Sequence, residues 1–197
     1  AQLTVTAKTD TSVGEVGVKV GLRAEGTLRD QKDAFKSNEY WGYWAMTPEW
    51  TLGGGYSGSL SNVAYGYDAV CTCAANDAST AFDLNPGDAH QMRLSYASGP
   101  LSFGVAIEDG TSDGLTDDDS LGGAARVNYS GDAFSAGLSG GYWGADDGGD
   151  AGTVHWQIGG GASFALGDMA NLSLGAAYGK EFVTGRYFAV SGSVTAD

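Results

Sequence analysis

The stretch from Thr153 to Leu166 reads TVHWQIGGGASFAL and alternates between two kinds of residue. Apolar or small residues occupy the even positions from Val154 to Leu166, and polar residues or glycine occupy the odd positions from Thr153 to Ser163. A period of two indicates a β-strand with one face in an apolar medium and the other in a polar one. The stretch therefore predicts a strand that separates two different environments.

The same alternation recurs along the chain, for example over 101–107 and 171–178. It predicts eleven strands, at about 1–10, 15–28, 39–46, 50–58, 89–97, 101–109, 121–129, 133–144, 153–166, 171–180 and 185–197. A further piece near 62–68 would make twelve, and we assign it to a loop.

The predicted strands are joined in a regular rhythm. Five connections are tight turns, at 11–14, 47–49, 98–100, 130–132 and 167–170, and four longer ones fall between them, at 29–38, 59–88, 110–120 and 145–152. Short turns at one end and long loops at the other are typical of a β-barrel that crosses a bilayer with strands of about 9 to 11 residues. The predicted fold class is all-β, an antiparallel up-and-down transmembrane β-barrel, with residues 1–197 in a single domain.

The composition excludes several classes of protein. With 33 glycines among 197 residues the chain is a poor helix former, because glycine in a helix interior costs about 1 kcal/mol relative to alanine. No apolar run approaches the roughly 20 residues of a membrane helix, which excludes a helical membrane protein. The formal net charge of −14 argues against a nucleic-acid partner, and the acidic residues concentrate in the long gaps, which places them at one rim.

Two stretches carry a family resemblance. Trp50 to Tyr56 reads WTLGGGY, and Met92 to Gly110, after a long acidic gap, reads MRLSYASGPLSFGVAIEDG. Both resemble the alphaproteobacterial general porin family, also called the porin 2 family, of Gram-negative outer membranes. Weaker similarity extends to 9–16 and 174–178.

The resemblance implies a homotrimer of 16-stranded barrels, surrounded by outer-membrane lipid and lipopolysaccharide, that forms a passive water-filled channel for small hydrophilic solutes and ions. In that family the third extracellular loop folds inward and narrows the pore, and the segment at about 59–88 occupies the corresponding place. Neither an enzymatic activity nor a cofactor is implied. Because several strands and the closing terminal strand of such a barrel are lacking, we expect the chain to be part of a longer barrel.

Basic residues fall on the polar phase of the predicted strands. A charged side chain on the lipid face near the bilayer midplane costs about 2 to 4 kcal/mol, so this phase should face the lumen. The pore-wall candidates are Lys8, Lys19, Arg23, Arg93 and Arg126. The candidate acidic residues of the constriction loop are Asp68, Asp77, Asp83 and Asp88. Opposed charges of this kind would set a transverse field that selects solutes. The alternatives are a solvated wall without a role in selectivity and an ordinary acidic surface loop.

Other side chains of the long gaps are weaker candidates. Cys71 and Cys73 lie in one gap, and two cysteines in an exported protein usually pair. A disulfide across a single residue closes a strained ring, so we leave their pairing undecided. Asp117, Asp118 and Asp119 are weak candidates for a divalent cation at the outer rim, because the glycine and closing glutamate of an EF-hand are absent. No metal site is predicted.

Catalysis has little support in the sequence. His90 and His155 are its two histidines, and His155 lies on the polar phase of its predicted strand. A hydrolase would need a serine and an orienting polar group beside such a histidine, and no triad is visible. We therefore do not expect an enzyme.

Four tryptophans lie near predicted strand ends, which is typical of the interfacial aromatic girdles of a barrel. They are Trp41, Trp44, Trp50 and Trp143. Two other classes of protein fit the same pattern. One is a non-conducting structural or adhesive outer-membrane barrel, which absence of conductance would identify. The other is a soluble exported β-rich protein, in which the apolar phase and the tryptophans would be buried in a sandwich.

Overall fold

The computed structural model describes residues 2–24, 35–61, 88–109, 121–143, 154–167, 169–181 and 185–196. These residues form eleven strands: β1 (Gln2–Thr11), β2 (Gly14–Ala24), β3 (Phe35–Ala45), β4 (Trp50–Gly58), β5 (Asp88–Ser98), β6 (Leu101–Asp109), β7 (Leu121–Ser130), β8 (Phe134–Trp143), β9 (Val154–Ala165), β10 (Ala170–Glu181) and β11 (Gly185–Ala196). All belong to one antiparallel sheet in which each strand pairs with the next along the chain. The prediction of an up-and-down sheet of eleven strands is confirmed.

The two ends of the sheet differ as predicted. Each odd-numbered strand up to β9 leads into the next through a tight turn of two to four residues, at 12–13, 46–49, 99–100, 131–133 and 166–169. In one of them Gly99 adopts a φ of 54°, a left-handed conformation that disfavours residues with a Cβ. The even-numbered strands β2 to β8 lead into longer connections at the opposite end. We call these ends the turn end and the gap end. No helix in the described ranges is long and apolar enough to cross a membrane.

In two strands, β3 and β9, a β-bulge interrupts the predicted alternation of residues between the two faces. β3 begins at Phe35 rather than near 39, and its pairing with β2 shifts from Gly21↔Glu39 to Leu22↔Ser37. A similar shift between β9 and β10 falls at residue 155, since Trp156 pairs with Lys180 and Val154 with Glu181. A bulge inserts one residue and reverses the alternation beyond it, so a strict period of two ends at this point.

The two faces of the sheet are opposite in chemistry and in burial. One face carries large apolar side chains that are exposed, such as Met92 (62%), Ile107 (59%) and Leu138 (52%). The other face, which we call the polar face, carries buried polar side chains, among them Gln91 and Gln157. A soluble sandwich would bury the apolar face instead. In the described part of the chain a single sheet forms and no second layer covers that face, which argues against the soluble alternative.

Aromatic rings border the apolar face at both ends. At the turn end, Trp50 packs against Tyr96 with ring centroids 5.0 Å apart, and Phe134 packs against Phe164 at 5.2 Å. At the gap end the ring pairs are Tyr40 with Tyr56 and Trp156 with Tyr178. On β9, Trp156 and Phe164 are eight residues apart, or about 26 Å at 3.3 Å per residue. In a strand tilted by about 40° these rings would lie about 20 Å apart along the membrane normal, which is comparable to the roughly 25 Å apolar band between the aromatic girdles of a membrane barrel.

The girdle prediction is wrong for two of the four tryptophans. Trp44 and Trp50 lie on the apolar face near the turn end, where the Trp44 indole Nε1 donates to the Val13 carbonyl at 2.8 Å. Trp41 and Trp143 lie on the polar face, and Trp143 is only 5% exposed. Distance from a strand end does not distinguish the faces, whereas odd or even position within the strand does.

The sheet curves around its polar face. Gln157 of β9 donates a hydrogen bond from Nε2 to the Ser61 carbonyl at 2.8 Å, and Ser61 follows the end of β4 at Gly58 by three residues. Three residues span at most about 11 Å. In a flat sheet with strands about 4.8 Å apart, β9 would lie about 24 Å from β4. The polar face is therefore the concave one.

Candidate functional site on the polar face

Glycines on the polar face provide flat surfaces on which aromatic rings lie. A Cβ atom at Gly53 would come within 2.4 Å of the Trp41 ring, and one at Gly17 within 2.5 Å of the Tyr43 ring. The Trp143 ring covers Gly122 and Gly141 in the same way. Glycine in a strand often marks such a close approach. The high glycine content thus allows three large rings to lie flat on the concave wall.

The strand register places all five predicted basic residues on the polar face. Arg93 pairs with Gly53 and Arg126 with Gly104, whereas the other three lie on β1 and β2. Arg23 is exposed and Arg126 is half-buried.

Two of these basic residues form ion pairs with carboxylates of the wall itself. The Lys8 Nζ lies 2.8 Å from the Glu15 Oε2, and the Tyr43 hydroxyl donates to the Glu15 Oε1 at 2.8 Å. The Lys19 Nζ lies 2.5 Å from the Glu39 Oε2. Glu15 and Glu39 were not predicted as site residues, although both occupy the polar positions of their strands. Lys8 and Lys19 therefore each pair with a glutamate of a neighbouring strand.

Arg93 holds the end of β4. Its Nη2 donates to the Gly58 carbonyl at 2.7 Å and to the Gln91 Oε1 at 2.6 Å, and its guanidinium lies 5.1 Å from the centre of the Trp41 ring. The Gln91 Nε2 donates in turn to the Ser57 carbonyl at 2.7 Å. These contacts fix the place at which the chain leaves β4 for the long connection.

The first three residues of that connection lie buried on the polar face. The Ser59 Oγ donates to the Glu108 Oε2 at 2.7 Å, and the Leu60 amide donates to the Glu108 Oε1 at 3.1 Å. The Ser61 carbonyl accepts from the Ser139 Oγ at 3.2 Å and from the Gln157 Nε2 at 2.8 Å. We call this arrangement the 59–61 anchor. It joins the end of β4 to β6, β8 and β9.

Apolar packing supports the 59–61 anchor. Leu60 is 7% exposed and forms a buried cluster with Ala106 and Ala124. A Cβ atom at Gly104 would approach the Leu60 Cδ1 to 3.2 Å. Small residues on β6 and β7 therefore leave room for this leucine, which lies on the concave side of the sheet.

Glu108 is the central polar group of the anchor and was not predicted as a site residue. Its side chain is 0% exposed, and its Oε2 also accepts from the Trp143 Nε1 at 3.1 Å. The indole reaches the carboxylate across Gly122, which lies between Glu108 and Trp143 in the strand register. The available signal was the polar phase of β6, whose last member before the gap is this glutamate.

Most of the predicted loop residues lie outside the described residues. These are Asp68, Asp77, Asp83, Cys71, Cys73, Asp117, Asp118 and Asp119. Asp88 is described and is the first residue of β5, paired with Gly58, so the connection ends one residue earlier than expected. Alternation places Asp88 on the side of His90 and Met92, which is the apolar face.

Of the two histidines, the structure describes the side chain of His90. His90 lies at the gap end of the apolar face, where the Tyr40 hydroxyl is 3.1 Å from its Nδ1. The side chain of His155 lies outside the described residues. Among the described residues no group of three or more histidine, cysteine or acidic side chains is arranged to hold a metal ion.

Comparison with known proteins gives a structural match and no sequence match. No protein-family model and no curated protein matches the chain. Among solved structures, the chain is similar to mutant forms of the porin of Rhodopseudomonas blastica. One has a TM-score of 0.65 at 15% sequence identity, covering 98% of this chain and 69% of that chain. Another has a TM-score of 0.63 at the same identity and coverage. At this identity the likeness shows the fold alone: the eleven strands form the antiparallel up-and-down sheet of a porin-type β-barrel.

Proposed function

We propose that this chain is the wall of an outer-membrane porin, a passive water-filled channel through which small hydrophilic solutes and ions diffuse. The observation that carries the proposal is the 59–61 anchor. The longest connection of the chain leaves β4 on the concave polar face and is held there by Glu108 and Gln157. A loop that starts inside the curve of the wall is suited to narrowing a lumen.

The two faces of the sheet support the same function. The exposed apolar face, bordered by aromatic rings about 26 Å apart on β9, suits the hydrocarbon layer of a bilayer. The concave face carries charged and amide side chains that suit water. A solute that follows this face meets hydrogen-bonding groups and needs no energy input to cross.

We extend the proposal to features of the general porin family of alphaproteobacteria. Residues 1–197 would belong to one barrel domain, assembled as a homotrimer among lipid and lipopolysaccharide. The segment at about 59–88 would form the constriction. Its acidic residues Asp68, Asp77 and Asp83 would oppose the basic residues of the wall. No catalytic activity is proposed.

Single-channel recording in a planar lipid bilayer tests this function. The detergent-purified protein should insert and give stable ohmic conductance steps, and steps in groups of three would support a trimer. A heat-resistant folded barrel that never conducts would contradict the channel function and favour a non-conducting structural or adhesive role.

A pair of cysteine variants links the conductance to the polar face. In a background with Cys71→Ser and Cys73→Ser, Ser95→Cys places a thiol on the polar face of β5, and Leu94→Cys places one on the apolar face. A charged, membrane-impermeant thiol reagent should reduce the conductance of the Ser95→Cys variant and leave that of the Leu94→Cys variant unchanged. Equal effects on both would show that the current does not follow the concave face.

A further inference from the structure

Glu108 is a buried carboxylate that accepts hydrogen bonds from three donors among the described residues. The Ser59 hydroxyl and the Trp143 indole donate to its Oε2, and the Leu60 amide donates to its Oε1. Two partners belong to the start of the long connection and the third belongs to β8. The carboxylate thus joins a loop segment to two strands of the wall.

We propose that Glu108 is a positioning residue that fixes the start of the 59–87 connection against β6 to β9 and thereby sets the cross-section open to solutes. This inference rests on the proposed channel function. Its direct consequence is that the pore dimension depends on a side chain that no solute touches, because Glu108 is 0% exposed.

The chemistry of the site requires a carboxylate at this position. Both oxygens of an ionised glutamate accept hydrogen bonds, whereas a glutamine amide offers one accepting oxygen and one donating nitrogen. With glutamine in either orientation, the amide nitrogen faces the Leu60 amide or the Trp143 indole, both of which are donors. Alanine leaves all three donors without their acceptor in a buried site, which is unfavourable.

The anchor also determines which part of the described wall is left open. Ser61 is held on β8 and β9 by Ser139 and Gln157, so the start of the connection lies over these two strands. On β1 and β2 the side chains of Lys8 and Lys19 are 62% and 43% exposed. Release of the anchor would therefore widen the path along β6 to β9 and leave the charged wall of β1 to β3 in place.

The test compares Glu108→Ala and Glu108→Gln with Asp132→Asn, which removes one negative charge from an exposed position in the tight turn at 131–133, at the turn end and away from the anchor. The first measurement is single-channel conductance. The second is the rate of chymotrypsin cleavage in the connection, which contains Tyr65, Tyr67 and Phe82 but neither lysine nor arginine between 59 and 87.

Glu108→Ala should change the unit conductance, broaden its distribution and accelerate cleavage by about tenfold or more, since loss of buried hydrogen bonds shifts local opening by at least that factor. Glu108→Gln should give a smaller effect of the same sign, and Asp132→Asn should behave as the parent protein. Cleavage and conductance of Glu108→Ala equal to those of Asp132→Asn would overturn the proposal.

The two measurements distinguish failure of the channel function from failure of the positioning role of Glu108. A parent protein that folds but does not conduct would contradict the channel function, and the cleavage rates would still decide whether Glu108 holds the connection. If Glu108→Ala fails to fold, Ser59→Ala and Trp143→Phe each remove one donor and leave the carboxylate. Faster cleavage in these variants supports the positioning role, and unchanged cleavage in both overturns it.

Discussion

Lys19 of β2 and Glu39 of β3 form an ion pair across neighbouring strands, with the lysine Nζ 2.5 Å from the glutamate Oε2. The Ser57 hydroxyl donates to the other carboxylate oxygen of Glu39 at 3.1 Å, so the acid is held on both sides. Lys8 and Glu15 repeat the arrangement between β1 and β2. The concave wall of these strands therefore carries two lysine–glutamate pairs rather than lysines alone.

The first prediction concerns ion selectivity. Glu39→Gln removes the negative partner of Lys19 and should shift the reversal potential in a salt gradient toward anion preference. Lys19→Gln should shift it toward cation preference, because the carboxylate is then left without its cation. Val18→Thr, on the opposite face of β2, serves as the control and should leave the reversal potential unchanged. Identical potentials for all three variants would show that this pair does not line the conducting path.

The same substitutions should change stability little. The Lys19 side chain is 43% exposed, and pairs exposed to water contribute about 0.2 to 1 kcal/mol. An effect on selectivity without a large change in unfolding free energy would therefore separate an electrostatic role from a structural one.

The second prediction concerns the glycine beneath Trp41. Gly53→Ala places a methyl group 2.4 Å from the Trp41 ring, which must move, and Arg93 loses the ring on which it lies. We expect the unfolding free energy to fall by about 1 to 3 kcal/mol, the usual cost of overpacking. The measurement is the urea midpoint of the barrel refolded in lipid vesicles.

A neighbouring glycine supplies the control for this change. Gly54 lies on the opposite face of β4, and a Cβ there would meet its nearest atoms at 3.5 and 3.8 Å, which is ordinary van der Waals contact. Gly54→Ala should therefore be tolerated. Equal destabilisation by both substitutions would indicate a general loss from replacing glycine in β4 and not a clash with Trp41.

The third prediction tests the membrane orientation of the sheet. Val105, on β6, is 50% exposed on the apolar face between the two aromatic borders. Val105→Lys should lower the unfolding free energy in lipid vesicles by about 2 to 4 kcal/mol, the cost of a cation on the lipid face near the midplane. Asn128→Lys, on the polar face of β7, should be nearly neutral. A reversed order of the two effects would assign water to the apolar face and contradict the channel.

Much of the fold could be predicted from sequence, because the side chains of a strand point alternately to its two faces and a strand between two environments therefore alternates apolar and polar residues. All eleven strands follow from that period. The pattern breaks at Asn38 and at His155, where a bulge inserts one residue into the ladder. The inserted residues, Asn38 and His155, are neither glycine nor proline, so the bulged strands carry no such mark in the sequence at these positions.

The site was less predictable, because its contacts connect residues distant in sequence. Glu108 and Ser59 are separated by 49 positions, and Ser61 and Gln157 by 96. Alternation places Glu108 on the polar phase but does not distinguish a solvated glutamate from a buried one. Likewise, the odd position of Lys19 in β2 indicates that it lies on the polar face. Its pairing with Glu39, however, depends on the register between β2 and β3.

The fourth prediction concerns the cooperation of Glu108 and Gln157. Both hold the same three residues, Glu108 through Ser59 and Leu60 and Gln157 through Ser61. Once one contact is removed and the segment leaves the wall, the other contact is lost without a further substitution. The destabilisation by Glu108→Ala together with Gln157→Ala should therefore be smaller than the sum of the two single effects.

Unfolding free energies of the four proteins of this double-mutant cycle, measured in lipid vesicles, give the coupling energy, which we expect to be at least about 0.5 kcal/mol. Gln157→Ala combined with Lys8→Ala, whose lysine lies on β1 and pairs with Glu15 away from the anchor, should be additive within about 0.3 to 0.5 kcal/mol. Additivity in both cycles would mean that the two residues stabilise their own strands independently. In that case the 59–61 segment would not couple Glu108 to Gln157. The segment would be buried because the wall curves around it, and it would not cross-link the strands of that wall.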